Sequence, residues 1–112
     1  MGVTTRQLGR WTIMELSGSV HPAAVAPIRA VLDDLIDNGV TSVLVDLAAV
    51  RWIDAVGLAV LTGGHRRLHA KGGELRVSAP SWPIRATLTA TGFSLLVPVY
   101  DSIAAATADP AR

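Results

Sequence analysis

Cysteine is absent from the 112-residue chain. That excludes a disulfide framework, a thiolate metal site and a cysteine nucleophile, and it agrees with the expected cytoplasmic location. An excess of charge of one sign is lacking too. Ten Lys and Arg against nine Asp and Glu leave a formal charge of +1. A nucleic-acid binder of this size would be far more basic, so no direct nucleic-acid contact is expected. No apolar run is long enough to span a bilayer, and the start MGVTTRQLGRW lacks the apolar core of a signal peptide. Met1-Gly2 does not continue into a myristoylation pattern, because Arg6 stands where Ser or Thr is required. No membrane insertion is expected. Phosphate loops are missing as well: Gly63-Gly64 and Gly72-Gly73 fit neither G-x-x-x-x-G-K-[ST] nor G-x-G-x-x-G. Serine, histidine and acid fall into no recognisable catalytic motif. No enzyme activity and no cofactor are expected, and internal repeats are not visible.

Apolar residues are plentiful, at 50% of the chain, enough for the core of one domain covering residues 1–112. Two strands come first, over Thr4–Leu8 and Trp11–Ser17, with Gly9-Arg10 as the turn between them. Gly18–His21 reads as a loop, and Pro22 opens a helix. Val25, Ile28, Leu32, Leu35 and Ile36 recur at three- and four-residue steps and form one apolar stripe. Asn38-Gly39 ends it. Ser42–Leu47 (SVLVDL) is apolar nearly throughout, as a strand buried on both faces must be. Ala55–Ala70 is a second helix, stopped by Lys71-Gly72-Gly73. Glu74–Ser78 is the next strand, Pro83–Thr91 a third helix closed by Gly92, and Leu95–Val99 a last strand. Asp101 or Ser102 caps a final short helix, and the tail ADPAR is expected to fray. The order ββαβαβαβα implies an α/β domain: a mixed, mostly parallel sheet covered by helices.

The stretch VRWIDAVGLAVL, residues 50–61, places an acid at a strand-to-helix junction. Asp54 can cap the second helix by accepting from the N–H of Val56 or Gly57, and its charge suits the positive end of the helix dipole. Gly57 costs about 1 kcal/mol of helix propensity against Ala, which is useful where another backbone or a partner comes close. The carboxyl edge of a parallel sheet is also where such folds usually bind. The residues themselves leave two readings open: a capped helix start and nothing more, or a binding edge.

VLVDLAAVRWIDAVGLAVL, GGELRVSAPSWPIRATLTATGF and ELSGSV resemble the STAS domains, above all the bacterial anti-sigma factor antagonists. The resemblance runs from about Gly9 to Ala106, and it implies the STAS fold. Its most specific part is the signature acid, two small residues, Gly, Leu at the start of the second helix. In such antagonists the residue after the aspartate is a serine. A partner anti-sigma factor, a GHKL-type serine kinase, phosphorylates it. The unphosphorylated antagonist binds that partner and frees a sigma factor for transcription. A phosphate of about −1.5 to −2 charges suits a switch that blocks a close interface.

This chain departs from the pattern at the decisive place. Asp54 matches the aspartate, Gly57 the glycine and Leu58 the leucine, but the acceptor serine falls on Ala55 and the second small residue on Val56. Neither carries a hydroxyl. The Gly-Glu-x-Asp loop frequent in the family reads Gly18-Ser19-Val20-His21 here, with both acids gone. The resemblance therefore implies a partner-binding surface at Asp54, Ala55, Val56, Gly57, Leu58, Ser19, His21 and Trp52 that is not switched at the usual phosphosite, with apolar contact at Ala55, Val56 and Leu58 outweighing charge. The alternative it leaves is a STAS accessory subunit of an ABC-type phospholipid transporter, binding the ATPase. A nucleotide or lipid ligand is a third reading, and oligomeric state stays open.

Thr62 is either a substitute phosphosite two turns after Ala55 or an ordinary helix threonine. His65 and His69 have the i, i+4 spacing of a helical metal pair, but no third ligand accompanies them. No metal site is expected, and His65–Lys71 reads as a solvated basic face. Trp52 is either an exposed anchor or half-buried packing. Trp11 and Trp82 are expected to be structural.

Overall fold

Five strands form one sheet in the order β1-β2-β3-β4-β5. The computed structural model describes residues 1–108; the expectation for the ADPAR tail lies outside the described residues from residue 109 onward. Strand β1 (Gly2–Leu8) pairs antiparallel with β2 (Trp11–Val20). Strands β3 (Ser42–Ile53), β4 (Glu74–Ser78) and β5 (Val99–Tyr100) then add in parallel. Parallel neighbours need long crossovers, and helices supply them. A single 3-10 turn at Pro22–Ala24 leads into α1 (Val25–Asp37), followed by α2 (Ala55–Ala70), α3 (Trp82–Ala90), α4 (Phe93–Leu96) and α5 (Ile103–Thr107). The mixed, mostly parallel α/β architecture agrees with the sequence.

The apolar patterns find their partners. Val25, Ile28, Leu32 and Ile36 of α1 are buried, with Leu35 at the margin of the same core. Val43, Leu44 and Val45 of β3 are fully enclosed, because both faces of the strand are covered. One face meets α1, α2 and α3 in the main core. On the other, Leu44 packs with Trp11, Ile13 and Ala106 of α5, beside Tyr100 and Ile103. The Arg10 and Arg76 guanidinium groups lie 4.6 and 4.7 Å from the Trp11 ring centroid, close enough for cation–π attraction. Arg76 also donates to the Ala106 carbonyl at 2.7 Å. Ser102 caps α5, its hydroxyl accepting from Ala105 N–H at 3.0 Å.

Several elements depart from the sequence reading. Gly18–Val20 is strand rather than loop, and β3 continues six residues past Leu47 to Ile53. The two extensions exist because they pair with each other, as far as Val20 with Ile53, through register shifts at Glu15/Ser17 and Gly18/Ser19. Gly18 absorbs one irregularity at φ +82, a conformation costly to other residues. The expected strand Leu95–Val99 is instead the one-turn helix α4 followed by a two-residue β5. Gly92, at φ +78, restarts the helix, and Phe93 and Val97, one turn apart, are the residues that bury. Finally, β1 begins at Gly2 instead of Thr4. Among the described residues no helix is long and apolar enough to cross a membrane.

Candidate functional site

The paired ends of β2 and β3 arrive together under the first turn of α2. Asp54 ends the connection in an extended conformation, φ −114 and ψ −178, and caps the helix as the sequence predicts. Its Oδ1 accepts from Val56 N–H at 3.0 Å and from Gly57 N–H at 3.1 Å. Two of the four orphan donors of the helix start are thereby satisfied. The carboxylate stands against the positive end of a 16-residue helix, where a negative charge is stabilising.

Gly57 explains the close seating. A Cβ built there would lie 2.9 Å from Val20 Cγ1 and 3.1 Å from Ile53 Cγ1. The group that comes close is therefore the chain's own β2–β3 edge. Leu58 follows into the core with 4% of its surface exposed. Gly57 and Leu58 are largely covered at the helix start, although Leu58 also lines the groove beside Ala55. They position the site from below.

What faces outward is the pair between acid and glycine. Ala55 is exposed and Val56 is 46% exposed. Trp52 on the last turn of β3 is 48% exposed, and its ring centroid lies 6.2 Å from that of His21. Ser19 is the register partner of Trp52 across the β2–β3 pair. The fold thus gathers Ser19, His21, Trp52, Ala55 and Val56 around the capped helix start, although they come from three segments. The surface is apolar, aromatic and free of acids apart from Asp54.

The remaining candidates sort themselves by packing. Thr62 spends its hydroxyl on the Leu58 carbonyl at 3.0 Å, the back-bonding of an ordinary helix threonine. His65 and His69 stack with centroids 6.1 Å apart. Among the described residues no group of three or more His, Cys, Asp or Glu could hold a metal ion. Arg66, Arg67, His69 and Lys71 are exposed as expected of a basic face, and Arg67 pairs with Asp33 of α1 at 2.8 Å. Trp11 is buried as expected. Trp82 is not: it is exposed at the start of α3, because that helix buries Ile84 and Leu88 and Trp82 falls on the opposite side. The sequence reading also passed over Leu95 and Leu96. Read as strand residues they had no reason to face solvent, yet both are exposed.

Comparison with known proteins places this geometry. The STAS domain description matches residues 3–106. The anti-sigma F factor antagonist of Paenibacillus polymyxa is 26% identical over 91 residues, which cover 80% of this chain and 78% of that protein. The crystal structure of an anti-sigma factor antagonist from Mycobacterium paratuberculosis superposes with a TM-score of 0.86 at 19% identity, covering 94% of this chain and 89% of that one. A sulfate transporter family protein from Wolinella succinogenes superposes with a TM-score of 0.73 at 23% identity, covering 86% and 80%. The fold is shared by regulatory and transport-associated proteins.

Proposed function

The chain belongs to the STAS domain family, and on that premise we propose that it is an anti-sigma factor antagonist that binds an anti-sigma factor of the GHKL serine-kinase type. Binding takes place at the start of α2 and regulates sigma-factor-dependent transcription. The carrying observation is the exposed, hydroxyl-free pair Ala55 and Val56 beside the half-exposed Trp52. An apolar surface of this kind excludes water when covered, and aromatic anchors supply much of an interface's energy. A phosphate at position 55 would add repulsion and desolvation cost at its centre. Alanine cannot receive one. The protein is accordingly always in its binding-competent form and is not released by the usual modification.

Capture of partners from cells of the source organism tests this, comparing wild type with Ala55→Asp and identifying bound proteins by mass spectrometry. The expected result is a serine kinase of the GHKL type that wild type retains and Ala55→Asp loses. An ABC ATPase in its place would move the protein to phospholipid transport, the second reading. Phosphate appearing within Asp54–Leu58 after incubation with the kinase and ATP would refute the unswitched form.

A further inference from the structure

The helix start is not the end of the apolar surface. From Ala55, a groove of about 340 Å³ runs along α2 over Ala59 and Thr62, walled on the other side by Phe93 and Leu96. It opens into a second hollow of about 300 Å³ bounded by His65, Arg66, His69 and Leu96. Thr62, Arg66 and Leu96 line both, so the two hollows adjoin along α2 and are taken together as a channel. Between Ala55 and His69 the helix advances roughly 21 Å at about 1.5 Å per residue. On its far wall stand Phe93 and Leu96 of α4; Phe93 is buried, Leu96 is 55% exposed, and Leu95 beside it, outside the two hollows, is 88% exposed. Adjacent large apolar side chains held out in water on a one-turn helix are the kind of exposure that marks an interaction surface.

Arg66 is the one side chain of fixed charge lining the two hollows, and it also borders a third hollow on the α1 side of α2 that contains Asp33. No carboxylate lines either of the two channel hollows. Arg66 has no ion-pair partner among the described residues, in contrast to Arg67, which is tied to Asp33. His65 adds a buried Nδ1 without a hydrogen-bond partner. A second copy of this chain seated symmetrically would set basic residues against basic residues, since a two-fold interface repeats the same patch. An acidic partner meets complementary charge instead.

We propose that the α2–α4 channel holds an apolar segment of the bound anti-sigma factor whose carboxylates reach Arg66. The proposal rests on the helix-start reading above and extends it, because Ala55 both heads the helix and lines the mouth of the channel. Apolar contact dominates at the Ala55 end and charge at the Arg66 end. Arg66 and Leu96 thereby become specificity determinants that no signature at the helix start contains.

Photo-crosslinking tests both parts at once, with benzoylphenylalanine replacing Val56 in one protein and Leu96 in another, each expressed in the source organism. Both positions are expected to crosslink to the same partner chain. The peptide joined to position 96 is expected to carry leucine-like side chains together with Asp or Glu. In binding assays with that partner, Leu96→Ser and Arg66→Glu should each weaken affinity tenfold or more at unchanged melting temperature, while Arg66→Lys costs far less. The salt dependence of wild-type binding should shrink in Arg66→Glu. Crosslinking at 56 without crosslinking at 96 would overturn the channel proposal and leave the helix-start reading standing. Crosslinking at neither position would overturn both. Crosslinking of position 96 to this chain itself would assign the channel to a second copy, against the proposal.

Discussion

Replacing Asp54 separates its structural role from any direct contact with a partner. In Asp54→Ala the first turn of α2 loses its acceptor for two N–H groups. The Val56 N–H lies at an exposed position, where water can replace the lost bond. The Gly57 N–H is partly buried against the strand ends and is replaced less well. Loss of an N-cap typically costs about 1 kcal/mol, within a range of about 0.5–2. The partly buried donor places this case near the upper half, at about 1.5 kcal/mol. For 112 residues the unfolding entropy is roughly 0.24 kcal/mol/K, so the melting temperature should fall by about 6 °C. Asp54→Asn keeps an acceptor and loses only the charge at the helix end, a cost of about 0.3–1 kcal/mol. Urea unfolding should show the same ranking through the midpoint at constant slope. The Asn variant should also bind the partner as wild type does, because the carboxylate acts through the turn it holds. Equal stability of the Ala variant and wild type would refute the capping argument. An Asn variant that folds as wild type but fails to bind would show that the charge itself meets the partner.

Two glycines of similar sequence context should respond in opposite directions to alanine. A Cβ at Gly63 meets nothing within 4 Å, so Gly63→Ala should stabilise the protein by about 0.8–1 kcal/mol of helix propensity, read as a raised melting temperature. A Cβ at Gly73 would collide with the Thr41 carbonyl oxygen, a backbone atom that already accepts from Glu74 N–H at 2.8 Å. Gly73→Ala should therefore cost about 3 kcal/mol or more, visible as a lowered urea midpoint. Trp52→Ala removes the half-exposed anchor; calorimetry should show partner affinity falling by about 30-fold, or about 2 kcal/mol, with a much smaller change in melting temperature.

Much of the fold was legible because its signals are local. The stripe on α1, the enclosed SVLVDL strand and the Asp54 cap each follow from a period or a donor count within one segment. The misread parts depend on partners far away in sequence. Whether Gly18–Val20 is strand is decided by its pairing with Val50–Ile53 beside it, which the local pattern of GSV does not reveal. Leu95–Val99 (LLVPV) is a short apolar run, and such runs do not distinguish strand from one-turn helix. The choice was made by Gly92 and by the room available for Phe93 and Val97 in the core. Misreading that segment hid the exposure of Leu95 and Leu96, and Leu96 is part of one wall of the channel.

The site shows how a signature divides its work. Asp54 satisfies backbone donors, Gly57 lets the helix rest on Val20 and Ile53, and Leu58 enters the core. Those three positions build the helix start and are constrained by packing. Ala55 and Val56 carry no comparable constraint, since both face solvent. Exposed substitutions of this kind usually change stability by less than about 0.5 kcal/mol. A hydroxyl can therefore be absent at position 55 while the platform that presents it stays intact. In the proposed function, a phosphate switch would depend on one exposed atom at position 55, while the exposed surface that docks is held in place by the scaffold beneath it.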